Sequence, residues 1–159
     1  HDFSDVDYAQ KKLIHHQLGA MIADKAKTDA TKPEIRQLAE QVSSQETARA
    51  SVYAALLTSW NESYLDITDF PETGGCNGYP TFSGMLPHLD VGKYRLSSGE
   101  SVDTTFLTLQ IEHHKKATDL VKLEGAKIGF GELIKLREAS QKEYGAEIST
   151  FETLQKSIL

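Results

Sequence analysis

The sequence predicts an all-α fold, an antiparallel four-helix bundle with a long crossover loop between its second and third helices. Three observations carry that prediction. Apolar side chains recur at steps of three and four rather than two, helix-opening signatures stand in front of the periodic stretches, and one central segment gathers most of the helix-breaking residues.

The first helix is expected over residues 4–28, where Ala9, Leu13, His16, Ala20 and Ala23 form one stripe. Thr31-Lys32-Pro33-Glu34 has the Thr-x-x-Glu form of a capping box with Pro in the first turn, and so opens a second helix. Its predicted seam is Ile35, Leu38, Val42, Gln45, Arg49, Val52 and Leu56, fraying near Trp60. Residues 66–99 hold three of the four prolines and six of the eleven glycines, which makes them the crossover, with a short helical turn from His88 to Leu96. Ser97-Ser98-Gly99-Glu100 is a second capping signature, opening a third helix striped by Leu107, Ile111, His114, Thr118 and Val121. Gly125, Gly129 and Gly131 break that pattern, and a fourth helix follows with Leu133, Leu136, Tyr144, Ile148, Phe151 and Ile158 facing inward. The chain is thus read as a single domain over residues 1–159, two helical hairpins at about 4–60 and 100–159 joined by loop 61–99, which is the topology of ferritin-like bundles.

Composition narrows the function classes. The 159 residues carry 17 Lys plus Arg against 23 Asp plus Glu, a net charge of −6, so a nucleic-acid partner is not expected. No apolar run approaches the length of a membrane span. The single cysteine, Cys76, excludes an internal disulfide and a cysteine-based zinc site, and no role is assigned to it. A chain beginning at His1 is expected to be processed, truncated or tag-trimmed, with any leader already missing.

The two hairpins repeat each other. A shift of 98 brings Asp5 onto Asp103, Tyr8 onto Phe106, Leu13 onto Ile111, His15 onto His113 and His16 onto His114. Each half therefore carries Asp-x-x-aromatic followed by His-His, with a Gln further along at 45 and 141. Neighbouring residues on a helix point about 100° apart, so His16 and His114 are expected to face the bundle axis and meet across a pseudo-twofold, with His15 and His113 as extra ligands or supports. The competing expectation is a polar core layer in which these rings bond to Gln45, Gln141 or backbone.

The duplicated Asp-x-x-aromatic and His-His motifs, with Gly84-Met85 and Leu96-Ser97-Ser98-Gly99 before Val102-Asp103 and Phe106-Leu107 as the linker into the second copy, resemble the bacterial domain-of-unknown-function family 305, and the likeness spans nearly the whole chain. The resemblance implies a ferritin-like helical fold and a periplasmic or cell-surface protein associated with copper binding. The family usually carries Met three residues before the first His of each pair and six after the second. Here those positions are Lys12, Ile22, Gln110 and Leu120, only Met21 and Met85 remain and neither is at an expected ligand position, and without those four thioethers the balance shifts from Cu(I) towards the ions that imidazole serves.

No enzyme is expected. The residues three before the five internal histidines are Lys12, Leu13, Met85, Gln110 and Ile111, so the Glu-x-x-His step of a di-iron bundle is absent. The expectation is a non-enzymatic, extracytoplasmic protein that binds a transition metal, copper first and zinc second, through His15, His16, His113 and His114. The alternative is a structural or partner-binding bundle whose metal site has decayed.

Overall fold

The computed structural model describes residues 1–70 and 79–158. Cys76, with Pro71, Gly74, Gly75 and Gly78 of the crossover, lies outside the described residues. Among those described there is no strand, and five helices run in the order α1 (Phe3–Asp29), α2 (Pro33–Ser59), α3 (His88–Leu96), α4 (Glu100–Leu123) and α5 (Gly131–Ile158), with one 3₁₀ turn at Ile67–Asp69. The four long helices fall where periodicity places them, and α3 is the short helical segment expected inside the crossover. Close packing joins α1 to α2, α4 to α5, and the two hairpins to each other through α1 and α4.

The helix starts differ from the sequence reading in an instructive way. Neither capping box opens the helix assigned to it. Lys32 occupies the cap of α2 and Gly99 that of α4, neither with a side-chain cap, while a box forms between Asp2 and Asp5 at the start of α1 and another between Asp66 and Asp69 at the 3₁₀ turn. Thr31 turns its hydroxyl to Asp103 instead of to its own helix. The Asp103 carboxylate also accepts the backbone N–H groups of Thr31 (2.9 Å) and Lys32 (3.2 Å). Asp5 does the same for the other hairpin, accepting from Gly129 (2.8 Å) and Phe130 (2.9 Å) just before α5. Under the shift of 98, residues 31 and 32 become 129 and 130. Each duplicated aspartate thus caps the second helix of the opposite hairpin, and a carboxylate is the better partner for the orphan N–H groups and the dipole of a helix start.

The interior holds two large apolar clusters and a small third one of Ala117, Val121 and Tyr144. Of the large pair, one gathers Leu18, Ile22, Ile35, Val42, Tyr94, Phe106, Leu107 and Phe151, and the other Tyr8, Leu13, Tyr53, Leu57, Leu120 and Leu133. On every long helix the residues between the two large clusters are polar: Lys12, His15 and His16 on α1, Glu46 and Arg49 on α2, His113 and His114 on α4, Glu147 on α5. A charged layer therefore crosses the middle of the bundle, sealed above and below by packed side chains.

Candidate metal centre

All four histidines are buried in this layer. The pair that meets is His15 with His113, stacked at 3.8 Å between centroids and 3° from parallel. His16 and His114 point away from that contact, each towards a carboxylate on the other helix of its own hairpin. This corrects the assignment of His16 and His114 to the axis. The hairpins touch through α1 and α4, so the one-residue turn that brings position 15 into the interface rotates position 16 towards α2.

The hydrogen bonds fix which nitrogens hold lone pairs. His15 donates its Nδ1–H to the Gly84 carbonyl at 2.6 Å, and His16 donates its Nδ1–H to Glu46 Oε2 at 2.9 Å. Each keeps a lone pair on Nε2, and that of His16 has no hydrogen-bond partner among the described residues. Both ring nitrogens of His113 are likewise unpartnered, its Nε2 standing 3.6 Å from Glu46 Oε2. His114 differs: its Nδ1 faces the Gln110 carbonyl at 2.8 Å and its Nε2 the Glu147 carboxylate at 2.8 Å, two acceptors that a ring satisfies together only by donating from both nitrogens.

Burial sets the protonation of the layer. It lowers the pKa of His15 well below the ordinary imidazole value, with the charge of His113 adding to the effect. It lowers that of His16 to about 3, assisted by Lys12 and opposed by Glu46, and lowers that of His113 against the pull of Glu46. Burial alone would raise the Glu46 pKa, but the surrounding His16 and His113 hold the carboxyl well below its usual range. Glu147 falls to about 2, because its bonds to His114 and Arg49 outweigh its desolvation. Gly19 is required by this crowding: a Cβ there would lie 2.6 Å from Glu46 Oε2 and 2.7 Å from His113 Nε2.

The glutamines called into this layer by the sequence pattern are not in it. Gln45 and Gln141 are both exposed, and they do not map onto each other under the shift of 98. The buried seam of α2 runs through Glu46, Ala50 and Tyr53, one residue on from the predicted Gln45, Arg49 and Val52. The ring partners that sequence reasoning missed are Glu46 and Glu147. A buried Glu carries no signal of its own in a helix rich in exposed charge.

Comparison with known proteins is decided by the family match, which runs over residues 5–155 to Domain of unknown function (DUF305). The chain belongs to the DUF305 family. Solved structures agree on the fold. A DUF305 fragment from Deinococcus radiodurans superposes with a TM-score of 0.78 at 20% identity, covering 98% of this chain and 97% of that one. A DUF305 protein from Streptomyces coelicolor, provisionally called secreted, gives 0.75 at 20% identity over 95% and 91%. CopM in its Cu(II)-bound form gives 0.72 at 18% identity over 98% and 97%. No match is found among curated proteins.

The four positions at which the DUF305 pattern leads one to expect methionine are all inside this chain's core: Lys12, Gln110 and Leu120 are wholly buried and Ile22 nearly so. Lys12 stands in the polar layer itself. Its Nζ donates to the Tyr144 hydroxyl and lies 4.9 Å from the centre of that ring, and burial pushes its pKa down to about 7 although Glu46 pulls the other way. Among the described residues no three His, Cys, Asp or Glu side chains are gathered around one point as a closed metal site requires. The donors fit a metal ion in kind. Neutral imidazoles that donate one N–H to a carbonyl or carboxylate and keep the other lone pair free have the arrangement that supports metal-bound histidine.

Proposed function

We propose that this DUF305 chain is a non-enzymatic, extracytoplasmic metal-binding protein that takes Cu(II) first and Zn(II) second. The observation that carries the reading is the set of unpartnered ring nitrogens on His16 and His113, buried beside the Glu46 carboxylate. Unpaired polar atoms at such depth are costly, and a cation would satisfy them. His15, His16 and His113 supply neutral imidazoles. His114 joins by releasing a ring nitrogen from Gln110 or Glu147. The absence of thioethers at positions 12, 22, 110 and 120 favours Cu(II) over Cu(I). The copper-bound relative and the provisionally secreted one support the metal and the compartment. Among the described residues no helix is long and apolar enough to cross a membrane.

Calorimetric titration at pH 7 with Cu(II), Zn(II) and Cu(I) tests it. Saturable Cu(II) binding that His16→Ala with His113→Ala removes is the expected result. No saturable binding, or binding indifferent to those replacements, rejects it.

A second reading has its own support. Lys12 places an amine where the family resemblance expects a sulfur, and both nitrogens of His114 are occupied. A structural or partner-binding bundle with a decayed site accounts for both. Under that reading added metal leaves the melting temperature unchanged, because an ion that does not bind the folded state cannot stabilise it.

A further inference from the structure

The hairpins leave a groove of about 560 Å³ between α2 and α5, lined among others by His16, Arg49, Tyr53, Glu143 and Glu147. Arg49 spans it. From α2 its guanidinium reaches Glu46 of its own helix at 2.8 Å and, across the groove, Glu143 at 2.9 Å and Glu147 at 2.6 Å. Arg49 and Glu147 are equivalent positions under the shift of 98, so the repeat has turned one pair of like sites into an ion pair.

The three carboxylates form a ladder running inward: the side chain of Glu143 is 52% exposed, that of Glu147 20% and that of Glu46 2%. The ladder ends at His16, fully buried, with its free Nε2. Three carboxylates face one guanidinium, and although Glu147 also meets His114 at 2.8 Å, among the described residues the ladder keeps an excess of negative charge, Lys12 being turned to the Tyr144 hydroxyl. At about 30 Å³ per water molecule the groove has room for an ion with its first hydration shell.

We propose that the α2–α5 groove is the cation site through which a divalent metal ion reaches His16, with Glu143 and Glu147 as its outer carboxylates and Arg49 as the resident counter-cation that the ion displaces. The proposal rests on the metal-binding reading above. It adds an entry route, its first ligands and the residue that closes it. A dication neutralises the ladder more fully than one guanidinium does, and the focused negative potential of a narrow groove draws it in.

The test separates entry from binding. With no metal present, diethyl pyrocarbonate acylates accessible imidazole nitrogens, and mass spectrometry locates the adduct. Arg49→Ala is expected to speed acylation of His16 by about fivefold or more while leaving His15, whose ring faces Gly84 and His113, unchanged. Stopped-flow mixing with Cu(II) is expected to show faster association for Arg49→Ala. Glu143→Gln, a change at a half-exposed side chain that folding tolerates, should give association several-fold slower and less dependent on salt. Unchanged acylation of His16, or acylation that rises equally at His15, overturns the route even where calorimetry shows Cu(II) bound. A Glu143→Gln protein that takes up Cu(II) at the wild-type rate overturns the role of the outer carboxylates. Absence of Cu(II) binding by calorimetry with His16 acylation still gated by Arg49 would instead reject the metal reading and, with it, the assignment of the groove to a cation.

Discussion

The two hairpins share a frame and differ in chemistry. Helix starts, aspartate caps and paired histidines repeat at a shift of 98, yet within the polar layer the same shift sets Lys12 against Gln110, Glu46 against Tyr144, Arg49 against Glu147 and Tyr53 against Phe151. The first hairpin therefore holds its carboxylate deep, on His16, and leaves a ring nitrogen free. The second holds its carboxylate at the groove, on His114, and leaves that ring none. What the duplication keeps is what fixes backbone position, and what it has let diverge is the charge around the histidines.

The sharpest break of that comparison is at Glu46 and Tyr144. Glu46→Gln removes the only deeply buried anion of the layer and leaves Arg49 and the surrounding donors without it, a class of change that costs about 3 kcal/mol or more. Tyr144→Phe removes one hydroxyl that accepts from Lys12 and should cost about 1 kcal/mol. Urea denaturation of both variants reads the difference. Equal losses would mean that the two hairpins contribute alike to the layer.

The aspartate caps should show the opposite, near-equal behaviour. Asp5→Ala and Asp103→Ala each delete a carboxylate that accepts two backbone N–H groups at the start of the opposite hairpin's second helix. Each should lose about 1–2 kcal/mol, and hydrogen exchange should accelerate at the first turn of α5 for Asp5→Ala and of α2 for Asp103→Ala. Exchange that instead rises only in the variant's own helix would show that the crosswise caps do not hold the hairpins together.

Much of this was legible in the sequence, and the boundary has a physical cause. The stripes of α1 and α4 are apolar apart from their histidines and Thr118, so periodicity finds them, and the repeat of His-His marks the layer. The α2 seam holds at Ile35, Val42 and Leu56 and departs by one residue only between them, because Gln45, Arg49 and Val52 look as inward-facing as Glu46, Ala50 and Tyr53 when only side-chain polarity is weighed. A Glu becomes an inner residue through the imidazoles of another helix, and those are remote in sequence. Thr31-x-x-Glu34 misled for the same reason: its capping partner, Asp103, lies 72 residues away. The pair that stacks, His15 with His113, depends on which faces the hairpins press together, and a 100° step between neighbours leaves periodicity no means to choose.

The smallest expected change in stability, and the one that probes Lys12 against Gln110, comes from Lys12→Met. It removes a desolvated amine, which helps, and leaves the Tyr144 hydroxyl without its donor, which costs, so the net change at pH 7 should stay within about 1 kcal/mol. The pH dependence is the clearer readout. With the folded-state pKa pushed down to about 7 against an ordinary 10.5, the unfolded chain holds a proton on Lys12 that the folded chain has released. Wild-type stability should therefore rise with pH from about 7 towards about 9.5, below the range in which tyrosines ionise, and the variant should lack that rise. On the acid side both proteins should weaken together as pH falls below the ordinary imidazole value, because His15, His16 and His113 stay neutral when folded and take protons when unfolded. The difference between the two stability curves thus isolates Lys12. A wild-type curve that is flat from neutral to alkaline pH, or a variant that follows it throughout, would mean that the amine at position 12 keeps its proton in the folded layer, paired with Glu46 as a permanent internal cation.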